Sequence, residues 1–221
     1  MDSFDSIFQR AARRKGGEQA LEALLPVAVS GRKLKARSDD RYLAEMTRCV
    51  FRSGFVWKII ENKWDGFEEA FSGFDVNSCA MLSDEALERL TQDERIVRNA
   101  KKIQSVRGNA SFIRAVREDH GSFGAYLADW PSSDFVGLWE ELKRRGDRLG
   151  GQTGRFFLRF MGWDTPVFSE DVVKALIGQG IIDKAPTSKK AQLAVQEAFL
   201  SWQQESGRDL CQISRILSAS V

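Results

Sequence analysis

Apolar residues recur along this chain at three- and four-residue intervals and rarely at every second position, so helix after helix is predicted and strands are not. Phe4, Ile7, Phe8 and Ala11 share one face of a segment running from Phe4 to Lys15, with Asp2 or Ser3 placed to cap it. Gln19 to Val29 reads as a second apolar helix, and the basic, turn-rich Ser30 to Asp40 as a connection. Asp40 to Glu61 is a long helical region interrupted at Gly54, and Trp64 to Phe71 a short helix. Ser83-Asp84-Glu85-Ala86 resembles a capping box and opens a helix ending near Leu90. Ile96 to Val116 is strongly periodic, and Phe123 to Trp130 stops at Pro131. The amphipathic Asp134 to Arg145 follows, then Thr153 to Met161, Ser169 to Ile177, Thr187 to Gln204 and Asp209 to Leu217. The predicted fold class is all-α, a compact bundle or two-lobed helical array.

A length of 221 residues allows a real core, as one large domain or two small lobes. No apolar run approaches the roughly 18 residues that a membrane span needs. The opening MDSFDSIFQRAARRKGG carries acidic residues where a signal peptide would carry positive ones, so export is not expected. Cys49, Cys79 and Cys211 are odd in number and far apart, which suits a reduced, cytoplasmic setting. With no metal-ligand spacing among them and His120 the one histidine, neither a metal site nor a cofactor is expected.

Net charge is only +2, so a surface for polyanions must come from clustering. Arg10, Arg13, Arg14 and Lys15 form one cluster, Arg32, Lys33, Lys35 and Arg37 another. The third, Lys143, Arg144, Arg145, Arg148, Arg155 and Arg159, differs because glycines interrupt it. There the turn Leu149-Gly150-Gly151-Gln152-Thr153-Gly154 leads into a helix. Backbone amides at such a turn and at a helix N-terminus hold a phosphate without side chains. Glu170 and Asp171, about twenty residues on, could then do acid/base or electrostatic work beside it.

Three pieces in order carry a resemblance. Ser53-Gly54-Phe55-Val56-Trp57, the run Ile96 to Gln104 with Gly108-Asn109-Ala110, and Lys143-Arg144-Arg145-Gly146 through Gly162 resemble the DNA-3-methyladenine glycosylase I family, within the helix-hairpin-helix DNA glycosylase superfamily. The likeness spans about Asp40 to Lys174. It implies a two-lobed all-α fold, a base pocket, and hydrolysis of the N-glycosidic bond of alkylated bases, chiefly 3-methyladenine. By resemblance Trp57 is the pocket tryptophan, Trp64 a candidate second wall, and Arg148, Gly150, Gly151, Gln152, Thr153, Gly154 and Arg155 the phosphate grip. Glu170 stands four residues before Lys174, the spacing at which superfamily relatives place a catalytic aspartate before a basic residue; Asp171 is the neighbouring alternative. Arg155 stands where lyase-type relatives carry a Schiff-base lysine. A guanidinium stays protonated and cannot be that nucleophile, so base excision without strand cleavage is implied.

The chain departs from the family at named positions. Gly150 and Thr153 replace a proline and a glycine of the superfamily hairpin. The family's pocket glutamate, eight residues before the tryptophan, is Cys49 here, with Glu45 the nearest substitute carboxylate. Its zinc ligands are missing, Asp171 and Ala175 standing near two of their places. The expected function is a monofunctional DNA glycosylase of base-excision repair; the alternative is a DNA-binding protein that keeps the hairpin without catalysis. Damaged double-stranded DNA is the expected partner, with no membrane, and the chain a monomer. The expected segments are an N-terminal extension over residues 1–39, a glycosylase core over 40–177 and C-terminal helices over 178–221.

Overall fold

The computed structural model describes residues 1–221, and every regular element in it is helical. In chain order these are α1 (Phe4–Lys15), α2 (Glu18–Glu22), α3 (Gly31–Lys35), α4 (Asp39–Arg52), α5 (Trp57–Asn62), α6 (Trp64–Ala70), α7 (Val76–Ala80) and α8 (Asp84–Leu90). Then come α9 (Ala100–His120), α10 (Phe123–Asp129), α11 (Phe135–Arg145), α12 (Gln152–Met161), α13 (Glu170–Gly178), α14 (Lys189–Ser206) and α15 (Leu210–Ala219). A single 3₁₀ turn, Ser72–Phe74, joins α6 to α7.

Local chemistry explains most boundaries. Ser3, Asp75, Ser83, Asn99, Ser122, Ser169 and Ser188 each cap a helix by accepting a backbone N–H three residues on. α1 and α14 end on Gly16 and Gly207, both left-handed. α4 stops because Gly54 takes φ +73°, and α5 begins three residues later. Two expectations differ from the structure. The helix expected over Gln19 to Val29 is only α2, because Pro26 cannot continue it and Val29 N–H instead donates to Gly162 O at 2.9 Å. The connection expected over Ser30 to Asp40 contains α3.

The chain divides into two compact units. One comprises Met1–Val29, Pro131–Leu138 and Gly162–Val221. Its core is Ile7, Leu21, Val195, Phe199, Trp202, Ile213 and Ile216, with α1 and α13 both packed on α15. The other comprises Ser30–Trp130 and Trp139–Met161, with α4 packed against α9 and α12. Phe51, Phe67, Phe71 and Phe74 form one buried ring cluster in it, and Phe123 and Phe157 pack on Tyr42, whose hydroxyl donates to Leu34 O at 2.8 Å. This division regroups the segments expected from the sequence: Met1–Val29 shares a unit with the C-terminal segment and with α13, while residues 30–39 lie with α4 in the other. No helix is long and apolar enough to cross a membrane.

Candidate functional site

The turn that ends α4 opens a cavity. Ser53, Gly54, Phe55 and Val56 carry the chain from α4 into α5, and Phe55 N–H closes the turn onto Arg52 O at 3.1 Å. Lys102 of α9 supports it from within: its Nζ donates to Phe51 O at 3.1 Å and Ser53 O at 2.6 Å, and sits 4.4 Å from the Phe55 ring centroid. Facing this turn, one side of α12 supplies Gln152, Thr153, Phe156 and Phe160. The half-open space between them is about 420 Å³, lined also by Cys49, Arg52 and Trp57. That volume and apolar lining suit one aromatic heterocycle.

Three rings make the aromatic wall. Trp57 meets Phe156 and Phe160 edge-on, with centroids at 5.8 Å and 6.1 Å, while Phe156 and Phe160, four residues apart on α12, stack at 5.8 Å. Trp57 is 45% exposed and Phe160 40%, values that a core residue would not show. A flat π surface therefore stays open to a guest ring. Trp64 has a different place. It stacks on Phe67 and Phe74, each at 5.4 Å, beneath the guanidinium of Arg48 at 3.9 Å, and its Nε1–H donates to Glu68 Oε1 at 3.0 Å. It does not line the cavity.

The deep side of the cavity is ionic, though its carboxylates are set back. Glu45 is buried and absent from the lining; its Oε1 accepts from Cys49 Sγ at 3.5 Å and lies 3.6 Å from Arg52 Nη1. Arg48 Nη1 reaches its Oε2 at 3.4 Å. Burial raises the Glu45 carboxyl above its ordinary pKa, opposed by Arg48 and Arg52. Burial, then the Glu45 charge, pushes the Cys49 thiol up as well, so it stays protonated and is no nucleophile. Arg52 spans the wall: its guanidinium carbon lies 4.9 Å from the Trp57 centroid and 5.1 Å from that of Phe160. Its Nε and Nη2 donate to Glu61 Oε1 at 3.0 Å and 2.7 Å.

The glycine turn joins α11 to α12 and ends beside the cavity. Leu149 is buried, a side chain at Gly154 would strike its carbonyl, and Arg148 and Gly151 take φ +62° and +61°. Arg148, Gly151 and Gln152 are exposed, while Gly150 and Thr153 are half-buried. Gly154 and Arg155 are buried. The Arg155 guanidinium lies 4.1 Å from the Trp139 centroid, its Nη1 is 3.4 Å from Gln152 Oε1, and desolvation lowers its pKa to about 10. Its placement is that of an internal cation, unlike the exposed Arg148.

Glu170 and Asp171 form the exposed first turn of α13, capped by Ser169, with Asp171 3.5 Å from Lys174 Nζ. The preceding Thr165 to Phe168 is buried. It is tied down by Ser214, whose Oγ accepts from Val167 N–H at 3.1 Å and donates to Val167 O at 3.0 Å. Both carboxylates belong to the unit that does not contain the cavity-lining residues. Arg52, Phe156, Phe160 and Lys102 were not singled out by sequence; the Phe156–Phe160 spacing on α12 was the one available signal.

Comparison with known proteins places the chain among base-removing enzymes. The sequence model of the methyladenine glycosylase family matches residues 34–146. DNA-3-methyladenine glycosylase 1 of Escherichia coli strain K12 is 36% identical over 136 residues, which are 52% of this chain and 72% of that protein. Among solved structures, 3-methyladenine DNA glycosylase I of Staphylococcus aureus superposes with a TM-score of 0.51 at 23% identity, covering 57% of this chain and 77% of that one. The 8-oxoguanine glycosylase/lyase of Methanocaldococcus jannaschii, in complex with a 15-mer DNA containing 8-oxoguanine, has a TM-score of 0.56 at 14% identity. It covers 96% of this chain and 95% of its own, so the likeness of fold extends well beyond the matched residues.

Proposed function

Because the chain belongs to the methyladenine glycosylase family, we propose that the cavity between the Ser53–Trp57 turn and α12 receives an alkylated base swung out of DNA. The protein is a monofunctional DNA glycosylase, hydrolysing the N-glycosidic bond of such a base in base-excision repair. The observation that carries the reading is the half-open ring wall of Trp57, Phe156 and Phe160. A base inside a duplex cannot be attacked until it leaves the stack, and an aromatic wall offsets part of the stacking it loses.

In this reading the damaged duplex is held by its backbone. The amides around Gly150 and Gly151 and the N-terminus of α12 take a phosphate beside the lesion, with Arg148 adding charge. Trp57 stacks on the extruded base. Glu170 or Asp171 stabilises the oxocarbenium-like sugar and accepts a proton from water as its oxygen bonds to C1′, while the glycosidic electron pair leaves with the base. Arg155 holds the hairpin together through Trp139 and Gln152 and forms no imine. The chain acts as a monomer in the cytoplasm, where its three cysteines remain thiols.

The test is incubation with methylated duplex DNA, with free base measured by chromatography and strand integrity on a denaturing gel. Free methylated base, an intact strand bearing an abasic site and no borohydride-trapped adduct are expected. Absence of base release above the buffer rate would overturn the reading, leaving a DNA-binding protein without catalysis.

A further inference from the structure

Lys102 occupies a place where a cation costs stability. It stands in the first turn of α9, at the positive end of the helix dipole, and its side chain is buried with no carboxylate beside it. Burial, then the charge of Arg148, holds its pKa below the ordinary lysine value. In place of a counter-ion the ammonium has the turn that leaves α4. It donates to Phe51 O at 3.1 Å, a carbonyl of the last turn of α4, and to Ser53 O at 2.6 Å. The Phe55 ring lies 4.4 Å from it. Ser53 and Phe55 both line the cavity, although both are exposed. Gly54 between them takes φ +73°, and nothing packs on the position its β-carbon would fill. The lip of the cavity is therefore held from behind, by one buried charge.

We propose that Lys102 is a positioning residue for base excision, keeping Ser53 and Phe55 in the conformation that shapes one wall of the cavity without itself touching base or DNA. The inference rests on the cavity being the base site. Ser53 and Phe55 face α12 across that space, so the depth and width offered to a base depend on where the turn is held. Stability does not call for a cation here. Replacing buried charged groups by apolar ones of similar volume is often neutral or stabilising. Without the ammonium Ser53 O, at an exposed residue, turns to water, and only the Phe51 carbonyl loses its partner. A charge that burdens the fold yet orders the cavity wall belongs to the site rather than to the core.

Calorimetric titration of the full chain with 3-methyladenine tests this, alongside thermal melting and affinity for undamaged duplex. Lys102→Met is expected to bind the base about ten-fold more weakly, because a released lip must be ordered again on binding. Its melting midpoint should stay within about 4 °C of the wild type's, and its duplex affinity should be unchanged. Lys102→Arg keeps the charge and the donors and should bind the base more tightly than Lys102→Met. Phe55→Leu should weaken the base in the wild type and add little in the Lys102→Met background, since the ring is then already loose. If Lys102→Met does not fold, Phe55→Leu alone, at an exposed position, gives the second reading, and undiminished base affinity there overturns the inference. Wild-type base affinity in folded Lys102→Met, whatever its melting midpoint, makes Lys102 merely structural and overturns the inference while leaving the base-site reading intact. Losses at Lys102 and Phe55 that simply add do the same. Failure of the wild type to bind 3-methyladenine, or binding unaffected by Trp57→Ala, instead removes the base-site reading and this inference with it.

Discussion

Asn109 holds both backbone groups of Asp147: its Nδ2 donates to Asp147 O at 3.1 Å, and its Oδ1 accepts from Asp147 N–H at 2.8 Å. The side chain is fully buried on α9, and the neighbouring Gly108 leaves no room for a β-carbon beside Asp147. The start of the glycine turn is thereby fixed to the longest helix of its unit. Asn109→Ala removes both bonds and leaves a backbone N–H and C=O without partners. A loss of about 1–3 kcal/mol in denaturant unfolding is expected, with affinity reduced alike for damaged and undamaged duplexes, since phosphate contacts position rather than specify. Unchanged affinity in a folded variant would separate the hairpin from DNA binding.

Replacing the carboxylates at the start of α13 probes the chemistry. Glu170→Gln keeps the shape and removes the charge, so single-turnover base release should fall roughly 100- to 1000-fold while DNA binding is unchanged or slightly tighter. If Asp171→Asn shows that loss and Glu170→Gln does not, the acting residue is Asp171. Full activity in both variants would place the catalytic group elsewhere.

A half-buried carboxylate in the same unit, Asp164, predicts a pH effect on stability. Asp164 accepts the N–H groups of Leu210 at 2.9 Å and Cys211 at 2.8 Å, capping α15 from outside, where Asp209 makes no side-chain cap. Desolvation outweighs those bonds and raises its pKa above 3.8. The folded state therefore binds this proton more tightly than the unfolded chain does. Its stabilisation is fully present below pH 3.8 and is lost as pH rises through the folded-state value. Asp164→Asn does not titrate, so the stability of the wild type relative to this variant should decline from about pH 4 upward. A difference that is flat or rises with pH in urea melts would contradict the assignment.

What the sequence made legible was what local chemistry decides. Periodicity and caps predict nearly every helix, and Gly54 and the Leu149–Gly154 turn announce themselves because few other sequences allow such backbone. Pro26 was equally visible, but the pairing of Val29 with Gly162 that draws the following chain away from helix is long-range. Trp57 and Trp64 are alike by type and near in sequence, yet one is an open wall and the other lies half-buried, stacked on the core rings of Phe67 and Phe74. Only tertiary packing separates them. The same holds for Arg52: a charge at a helix end reads as solvated until Trp57, Phe160, Glu45 and Glu61 converge on it. Part of the site, Gln152, Thr153, Phe156 and Phe160, also lies beyond residues 34–146, so the family match alone does not reach it.

The most direct test of the central claim, that the Trp57 cavity is where a damaged base is held for excision, is single-turnover release of alkylated base by wild type and Trp57→Ala, with affinity for undamaged duplex measured alongside. Removing the indole takes away a stacking contact typically worth ~1–3 kcal/mol per base, so release should slow by roughly ten-fold or more with undamaged-duplex affinity unchanged. Release by Trp57→Ala at the wild-type rate would contradict the account.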